Sequence, residues 1–386
     1  MSERRIAYVV NHVAFFVSHR LPLALCARQL GFEVQVFTGQ PGSVSMETPA
    51  AERLHALGIP HRRTLFSSSG LNPLIESIGF LQLLVLIVRF KPDIVHCASP
   101  KGVLIGGIAS RLCRVKGVVL AISGMGYAFT GDGDSSISRR AIKYIFSIIA
   151  PFAFGHPNCR VIVQNEDDRR AIIRSGFAQE SQITLIKGSG IDLSVFDARV
   201  AINKEKMVLL PARMLEDKGV RHFVSAARKL RAIEPGWQFV LAGAAGYDNP
   251  TAIPESDLLG WQAEGVVSWR GHVEDMVPLF SAAAIVCLPS YREGMPKALL
   301  EAAAAGCAVV TTDVVGCRDA VEPGVTGDLV PVRDVDALVD TLAALMRDDA
   351  RRRTYGGNGR RRVESMFSLE SVVSQTMEIY EGLLDG

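Results

Sequence analysis

Two glutamates eight residues apart, Glu293 and Glu301, are the side chains of this sequence best placed to do chemistry. They lie in the run Leu288-Pro289-Ser290-Tyr291-Arg292-Glu293-Gly294-Met295-Pro296-Lys297-Ala298-Leu299-Leu300-Glu301, which continues through Ala302 to Ala305 and Gly306 and reads as strand, loop, helix and strand. Pro296 suits a first helical turn, where a missing N–H costs nothing, and Gly306 suits the helix stop. Glu293 is therefore expected in the loop at the helix mouth, with Glu301 about one turn inside. A carboxylate accepts two hydrogen bonds at once, which suits the vicinal diols of a ribose or a pyranose. Free N–H groups near Gly294 and Met295 favour anionic or hydroxyl-rich ligands over the helix start. The bland alternative, an ordinary loop acid and a solvated helix acid, leaves unexplained a glutamate set among Leu299, Leu300 and alanines.

A second cluster follows the strand-like run Met207 to Pro211: Ala212-Arg213-Met214-Leu215-Glu216-Asp217-Lys218-Gly219. Arg213 and Lys218 then stand at the carboxyl end of a parallel strand, where ligands of open α/β sheets collect, and their charges suit a diphosphate. If that diphosphate leaves during reaction, fixed cations stabilise it more in the transition state than before. Alone, the pair reads more simply as surface cations bridged to Glu216 and Asp217; the Glu pair downstream reverses that balance.

The elements that must position these groups alternate between short β-branched runs and longer helical patterns, the signature of βα units and parallel sheets. Strands are expected at Ile6 to Val10, Val34 to Thr38, Asp93 to His96, Val118 to Ile122, Val161 to Gln164 and Ile183 to Ile186. After the turn-rich Gly188-Ser189-Gly190 they resume at Val208 to Pro211, Phe239 to Ala242, Val266 to Trp269, Ile285 to Leu288, Ala308 to Thr311 and Leu329 to Val332. With 386 residues and 48% hydrophobic content, two α/β domains are expected, spanning 1–190 and 203–366, with a C-terminal helix over 367–386 able to return to the first. The apolar stretch Leu74 to Phe90 holds Glu76 and Arg89 and falls short of the ~20 residues of a spanning helix, so it reads as a buried helix.

The three stretches Ala212 to Gly219, Glu293 to Glu301 and Gly316-Cys317-Arg318-Asp319 with Gly324-Val325-Thr326-Gly327 resemble the retaining glycosyltransferases of family four, whose GT-B fold sets two Rossmann-like doubly wound domains facing across a cleft. The resemblance implies that Arg213 and Lys218 bind the donor diphosphate, Glu293 the transferred sugar and Glu301 the ribose. Gly294, Met295, Pro296, Lys297 and Leu300 would line the donor site, and the backbone around Trp269, Arg270 and Gly271 would meet the base. The first half is similar to the subgroup that builds lipid-linked or surface polysaccharides, through Phe16-Val17-Ser18-His19-Arg20, Asp93-Ile94-Val95-His96 and Ser123-Gly124-Met125-Gly126-Tyr127. His19, His96, Ser123 and Gly124 are the acceptor-side candidates. Many family members carry a Gly-Gly turn after the first strand and a His-Gly further on; here these are Asn11-His12-Val13 and Ser123-Gly124, so no phosphate role or catalytic histidine carries over to those positions.

Other signals are weaker. Asp132-Gly133-Asp134 has a metal-binding form but, flanked by Gly131 and Ser135-Ser136, reads as a solvated turn; no metal or other cofactor is expected. Gly124-Met125-Gly126 has no third glycine in register and does not make a dinucleotide fingerprint. The arginine triplets at 351–353 and 360–362 read as solvated faces of one helix. Arg139, Arg140 and Lys143 precede an apolar run to Phe154 that reads equally as an interfacial helix on anionic lipid or as a helix packed on the first sheet.

A formal charge of +2, from 42 basic and 40 acidic side chains, gives no field pointing to nucleic acid. Seven cysteines without a C-x-x-C and a start without a signal-like apolar run suggest a reduced, cytoplasmic protein, with peripheral contact at the inner face of the membrane if the acceptor is lipid-linked. The expected activity is retaining, metal-independent transfer of a hexose or N-acetylhexosamine from a UDP- or GDP-sugar to a glycan or polyprenyl-diphosphate-linked acceptor. The rivals are a nucleotide-sugar epimerase of the same shape and a catalytically silent subunit of an assembly complex.

Overall fold

The apolar runs of the first half become the parallel strands β1 (Arg4–Val10), β2 (Phe32–Gln40), β3 (His61–Ser67), β4 (Ile94–Ala98), β5 (Gly117–Ile122), β6 (Cys159–Val163) and β7 (Ile183–Leu185). In the computed structural model, which describes residues 4–40, 44–67, 72–122, 147–196, 204–246, 249 and 251–385, they line up as β3-β2-β1-β4-β5-β6-β7. The second half supplies β8 (Glu205–Pro211), β9 (Gln238–Ala242), β10 (Ser268–Trp269), β11 (Ala283–Leu288), β12 (Ala308–Thr312) and β13 (Gly327–Val330), ordered β10-β9-β8-β11-β12-β13. Both sheets reverse their strand order beside their first strand, between β1 and β4 and between β8 and β11. Such switch points open a crevice at the carboxyl ends of the strands.

The chain divides into two compact units, Met1–Ser189 with Ser371–Gly386, and Gly190–Glu370. In the first, the period-2 alternation of β1 sends Ile6, Tyr8 and Val10 to one face and Ala7 and Val9 to the other. The helices Val13–His19, Leu21–Gln29 and Val44–Ala56 cover the former face together with Val372, Met377, Tyr380 and Leu383 of the C-terminal helix Leu369–Asp385. The helices Pro73–Phe90 and Pro100–Leu112 cover the latter. In the second unit, Val208 and Leu210 of β8 meet the helices Val220–Ile233 and Val335–Arg347, while Leu209 meets the helix Lys297–Ala304.

Three expectations need correction. β3 is an additional strand: its sequence His-Arg-Arg-Thr-Leu-Phe-Ser buries only Thr64 and Phe66, as suits an edge strand, and carries no β-branched run. The helix Pro73–Phe90 is not buried; it buries Gly79, Leu83, Ile87 and Phe90 on the sheet and leaves Leu74, Ile75, Ile78, Leu81, Val85 and Val88 exposed, because a sheet covers only one stripe of a helix. The arginines of the helix Asp349–Met366 are not simply solvated: Arg360 donates to the carbonyls of Ala304 and Phe196, Arg352 to that of Met346, and Arg362 to that of Asp319.

Candidate active site

The loop after β8 and the loop after β11 leave adjacent strands at the switch point of the second sheet, so the two sequence clusters are brought together. After β8 the chain makes a 3₁₀ turn over Glu216–Lys218 and enters the helix Val220–Ile233 through Gly219, whose φ of +72° is a left-handed conformation that suits glycine. The backbone N–H of Tyr291 donates to the carbonyl of Asp217 at 2.8 Å, and Ser290 Oγ donates to the same oxygen at 2.9 Å. Those bonds clamp one loop onto the other. As a result Lys218 Nζ lies 2.5 Å from Glu293 Oε1, with both side chains largely buried.

The backbone at Glu293 is further crowded by the segment after β12. Gly316, at φ +81°, lies so close that a Cβ there would stand 2.3 Å from the carbonyl oxygen of Gly294 and 2.8 Å from that of Glu293. Cys317 beside it is buried; burial, then the nearby Glu293 carboxylate, pushes its thiol up to about 12, so it stays protonated and unreactive. Tyr291, one residue beyond Ser290, has its hydroxyl 2.9 Å from His222 Nδ1 and its ring under the Arg333 guanidinium at 4.7 Å.

Pro296 caps the helix Lys297–Ala304, which carries Glu301 in its second turn; Lys297 Nζ is 3.2 Å from Glu301 Oε1. Leu299 and Leu300 are buried beneath, so Glu301 is aimed by packing and not by solvent. Arg213 is exposed just past the end of β8, and Arg270 is exposed just past β10, two strands further along the same edge. The backbone around Arg270 is pinned there: its N–H donates to Leu241, and the Gly243 N–H donates to the Gly271 carbonyl at 2.8 Å.

The acceptor-side candidates belong to the first unit. Ser123 and Gly124 lie outside the described residues, as do Asp132, Asp134, Arg139, Arg140 and Lys143. His19 ends the helix Val13–His19, half-exposed and stacked on Phe15 at 4.6 Å between ring centroids. His96 is fully buried on β4, with Nδ1 2.7 Å from the Tyr380 hydroxyl; burial, then the Arg20 charge, holds its pKa well below the ordinary range, so its ring is neutral. In this position its contacts are with the core and the C-terminal helix.

The loop after β1, a phosphate position in many such sheets, is hydrogen-bonded to other parts of the first unit. Buried Glu47 accepts from the backbone N–H groups of Val13 and Ala14, both at 3.1 Å, and lies 3.1 Å from His12 Nδ1. Asn11 Oδ1 accepts from Ser99 Oγ and from the Gly102 N–H. These partners sit far away in sequence, and no local signal marks Glu47; likewise Gly219, Gly316 and Tyr291 carry site geometry that only the fold reveals.

Residues 205–348 match a family model described as glycosyl transferases group 1, and residues 5–154 one described as glycosyl transferase 4-like. The capsular polysaccharide biosynthesis glycosyltransferase CapM of Staphylococcus aureus is 27% identical, with 84% of each chain covered. The N,N'-diacetylbacillosaminyl-diphospho-undecaprenol alpha-1,3-N-acetylgalactosaminyltransferase of Campylobacter jejuni is 25% identical over 98% of this chain and 99% of its own. Among solved structures, Anabaena Alr3699/HepE in complex with UDP and glucose superposes with a TM-score of 0.76 at 16% identity, covering 98% of this chain and all of that one.

Proposed function

This chain belongs to the family-four GT-B glycosyltransferases, and on that premise we propose that it transfers a hexose or N-acetylhexosamine, with retention of anomeric configuration and without a metal, from a UDP- or GDP-sugar to a polyprenyl-diphosphate-linked glycan in surface polysaccharide assembly. The observation that carries the reading is the 2.5 Å contact between Lys218 and Glu293 at the switch point of the second sheet, beside the helix that bears Glu301. The ammonium meets the donor diphosphate, Glu293 the hydroxyls of the transferred sugar, and Glu301 the ribose. Lys297 supports an anionic ligand at the same helix. A cation in a first helical turn opposes the macrodipole at ~0.3–1 kcal/mol, and its pairing with Glu301 four residues later runs in the less favourable order.

In the reaction the bond from the anomeric carbon to the diphosphate oxygen breaks and the bond to the acceptor oxygen forms on the same face. The acceptor proton passes to the departing phosphate oxygen. Negative charge grows on the diphosphate during the step, so Arg213 and Lys218 lower the barrier more than they tighten the ground state. The acceptor assignment is supported by the Campylobacter relative, whose acceptor is a diphospho-undecaprenol.

The test is product analysis with UDP- and GDP-sugars and a polyprenyl-diphosphate-linked acceptor in detergent, in excess EDTA. An α-linked product from an α-linked donor is expected. Inversion, or loss of turnover on chelation, overturns the mechanism; an epimerised nucleotide sugar formed without acceptor points to the epimerase, and absence of any donor turnover to a silent subunit.

A further inference from the structure

We infer that the outer face of the helix Pro73–Phe90 is a docking surface for an anionic phospholipid bilayer. Its exposed residues Leu74, Ile78, Leu81, Val85 and Val88 recur at intervals of four and three, one continuous stripe, with Ile75 beside it. These six side chains are 44 to 76% exposed. From ordinary side-chain sizes they present on the order of 550 Å² of apolar surface, the upper end of what the largest patch on a soluble monomer reaches. Leu65 of β3 and Leu112 of the helix Pro100–Leu112 are also exposed, on two elements that pack against this helix.

The helix cannot cross a membrane while the unit is folded. A Cβ at Gly79 would stand 2.1 Å from the backbone nitrogen of Phe66, so the helix backbone lies directly against β3, and Leu83, Ile87 and Phe90 are buried beneath it. It therefore lies along the surface, apolar side outward, in the orientation of an interfacial helix.

Charge selects the occupant. Over residues 61–67 and 72–92 the basic side chains are Arg62, Arg63, Arg89 and Lys91, all exposed, and the acid is Glu76, held by Lys101 at 2.8 Å. Arg114, exposed beyond the neighbouring helix, adds a further cation. An apolar stripe on elements whose exposed cations have no ion pair among the described residues complements anionic head groups over an acyl layer. A second copy of the chain fits less well: ~550 Å² per partner is below the ~800 Å² of a stable dimer interface.

The geometry stands apart from the acceptor assignment, although a lipid-linked acceptor gives the surface a purpose. The test is co-sedimentation of the full chain with vesicles of phosphatidylglycerol and phosphatidylethanolamine, against vesicles of phosphatidylcholine alone. Wild type is expected to pellet with the anionic vesicles at low salt, and Leu81→Glu with Val85→Glu to shift at least 10-fold toward the supernatant. Because both positions face solvent, that variant should keep the thermal midpoint of wild type. Arg89→Glu should weaken pelleting without changing the fold. Wild type that stays in the supernatant, or a double variant that pellets undiminished, overturns the inference. So does a wild-type dimer that the double variant makes monomeric, which would assign the face to a second copy. Transfer in detergent is read separately, so failure there counts against the acceptor and failure with vesicles against the surface.

Discussion

A Cβ on Gly219 would stand 2.0 Å from the carbonyl oxygen of Pro289, so the loops after β8 and β11 meet backbone to backbone at the residue that follows Lys218. That approach, together with the left-handed φ of +72°, leaves no room for a side chain. Gly219→Ala must push the loops apart or twist the helix start, at ~1–3 kcal/mol for a strained backbone position. The expected result is a lower thermal midpoint of the second unit and a fall in turnover that persists at temperatures where the variant is fully folded. Unchanged turnover would mean that the Lys218–Glu293 contact does not depend on this packing.

Lys218→Ala and Arg213→Ala should each lower turnover by ~100-fold or more, since one preorganised donor to developing charge is worth ~3–4 kcal/mol. Lys218 and Glu293 touch, so their effects should not add: Lys218→Ala with Glu293→Ala should cost clearly less than the product of the single losses. Multiplicative losses in that cycle would show that the two groups act separately.

Glu293→Ala and Glu301→Ala should differ in kind. A carboxylate on the reacting sugar acts mainly in the transition state and its loss appears in kcat, whereas one on the ribose binds donor throughout and its loss appears in KM. Equal effects on KM alone would contradict the split.

Much of this candidate site can be read from sequence because its residues lie in two local runs. Ala212 to Gly219 and Glu293 to Glu301 each name a strand end and a loop, and Pro296 and Gly306 mark the helix between strands. What sequence does not carry is contact across distance. Lys218 and Glu293 stand 75 residues apart, and their meeting depends on β8 and β11 being neighbours, which a parallel sheet decides by strand order and not by spacing. The outer face of Pro73–Phe90 escaped for another reason: a helix apolar all round gives no periodicity to tell inside from outside.

Glu47 gives a pH dependence to the first unit. Burial pushes its carboxyl up, but hydrogen bonds from His12 and from the N–H groups of Ala14 and Val13 outweigh this and hold its pKa below the ordinary value. A lowered folded pKa means stability present above the unfolded pKa of ~4.3 and lost as pH falls through the folded value. Glu47→Gln should therefore cost stability at pH 7, by ~1–3 kcal/mol for charge-assisted bonds weakened in the interior. Its deficit relative to wild type should shrink as the pH drops below about 4.3. A deficit constant from pH 7 to pH 3, by thermal or urea unfolding, would show that the carboxylate charge is not what matters.

Tyr380 ties the last helix to the first sheet, although the chain reaches that helix only after completing the second unit. Its hydroxyl lies 2.7 Å from His96 Nδ1 and donates to the Tyr8 hydroxyl at 3.1 Å, all three groups being fully buried. His96 Nε2 has no partner among the described residues, so Nδ1 is the only point at which this ring is satisfied. Tyr380→Phe removes the middle of the chain and strands both neighbours in the core, which predicts a loss of ~1–3 kcal/mol for each buried group left unpaired. Tyr8→Phe removes only an end and should cost less. Because the three residues belong to the first unit, the loss should appear as faster hydrogen exchange in β1 and β4, with β8 and β11 unchanged. Equal acceleration in both units would mean that the C-terminal helix stabilises the chain as a whole and not the sheet on which it packs.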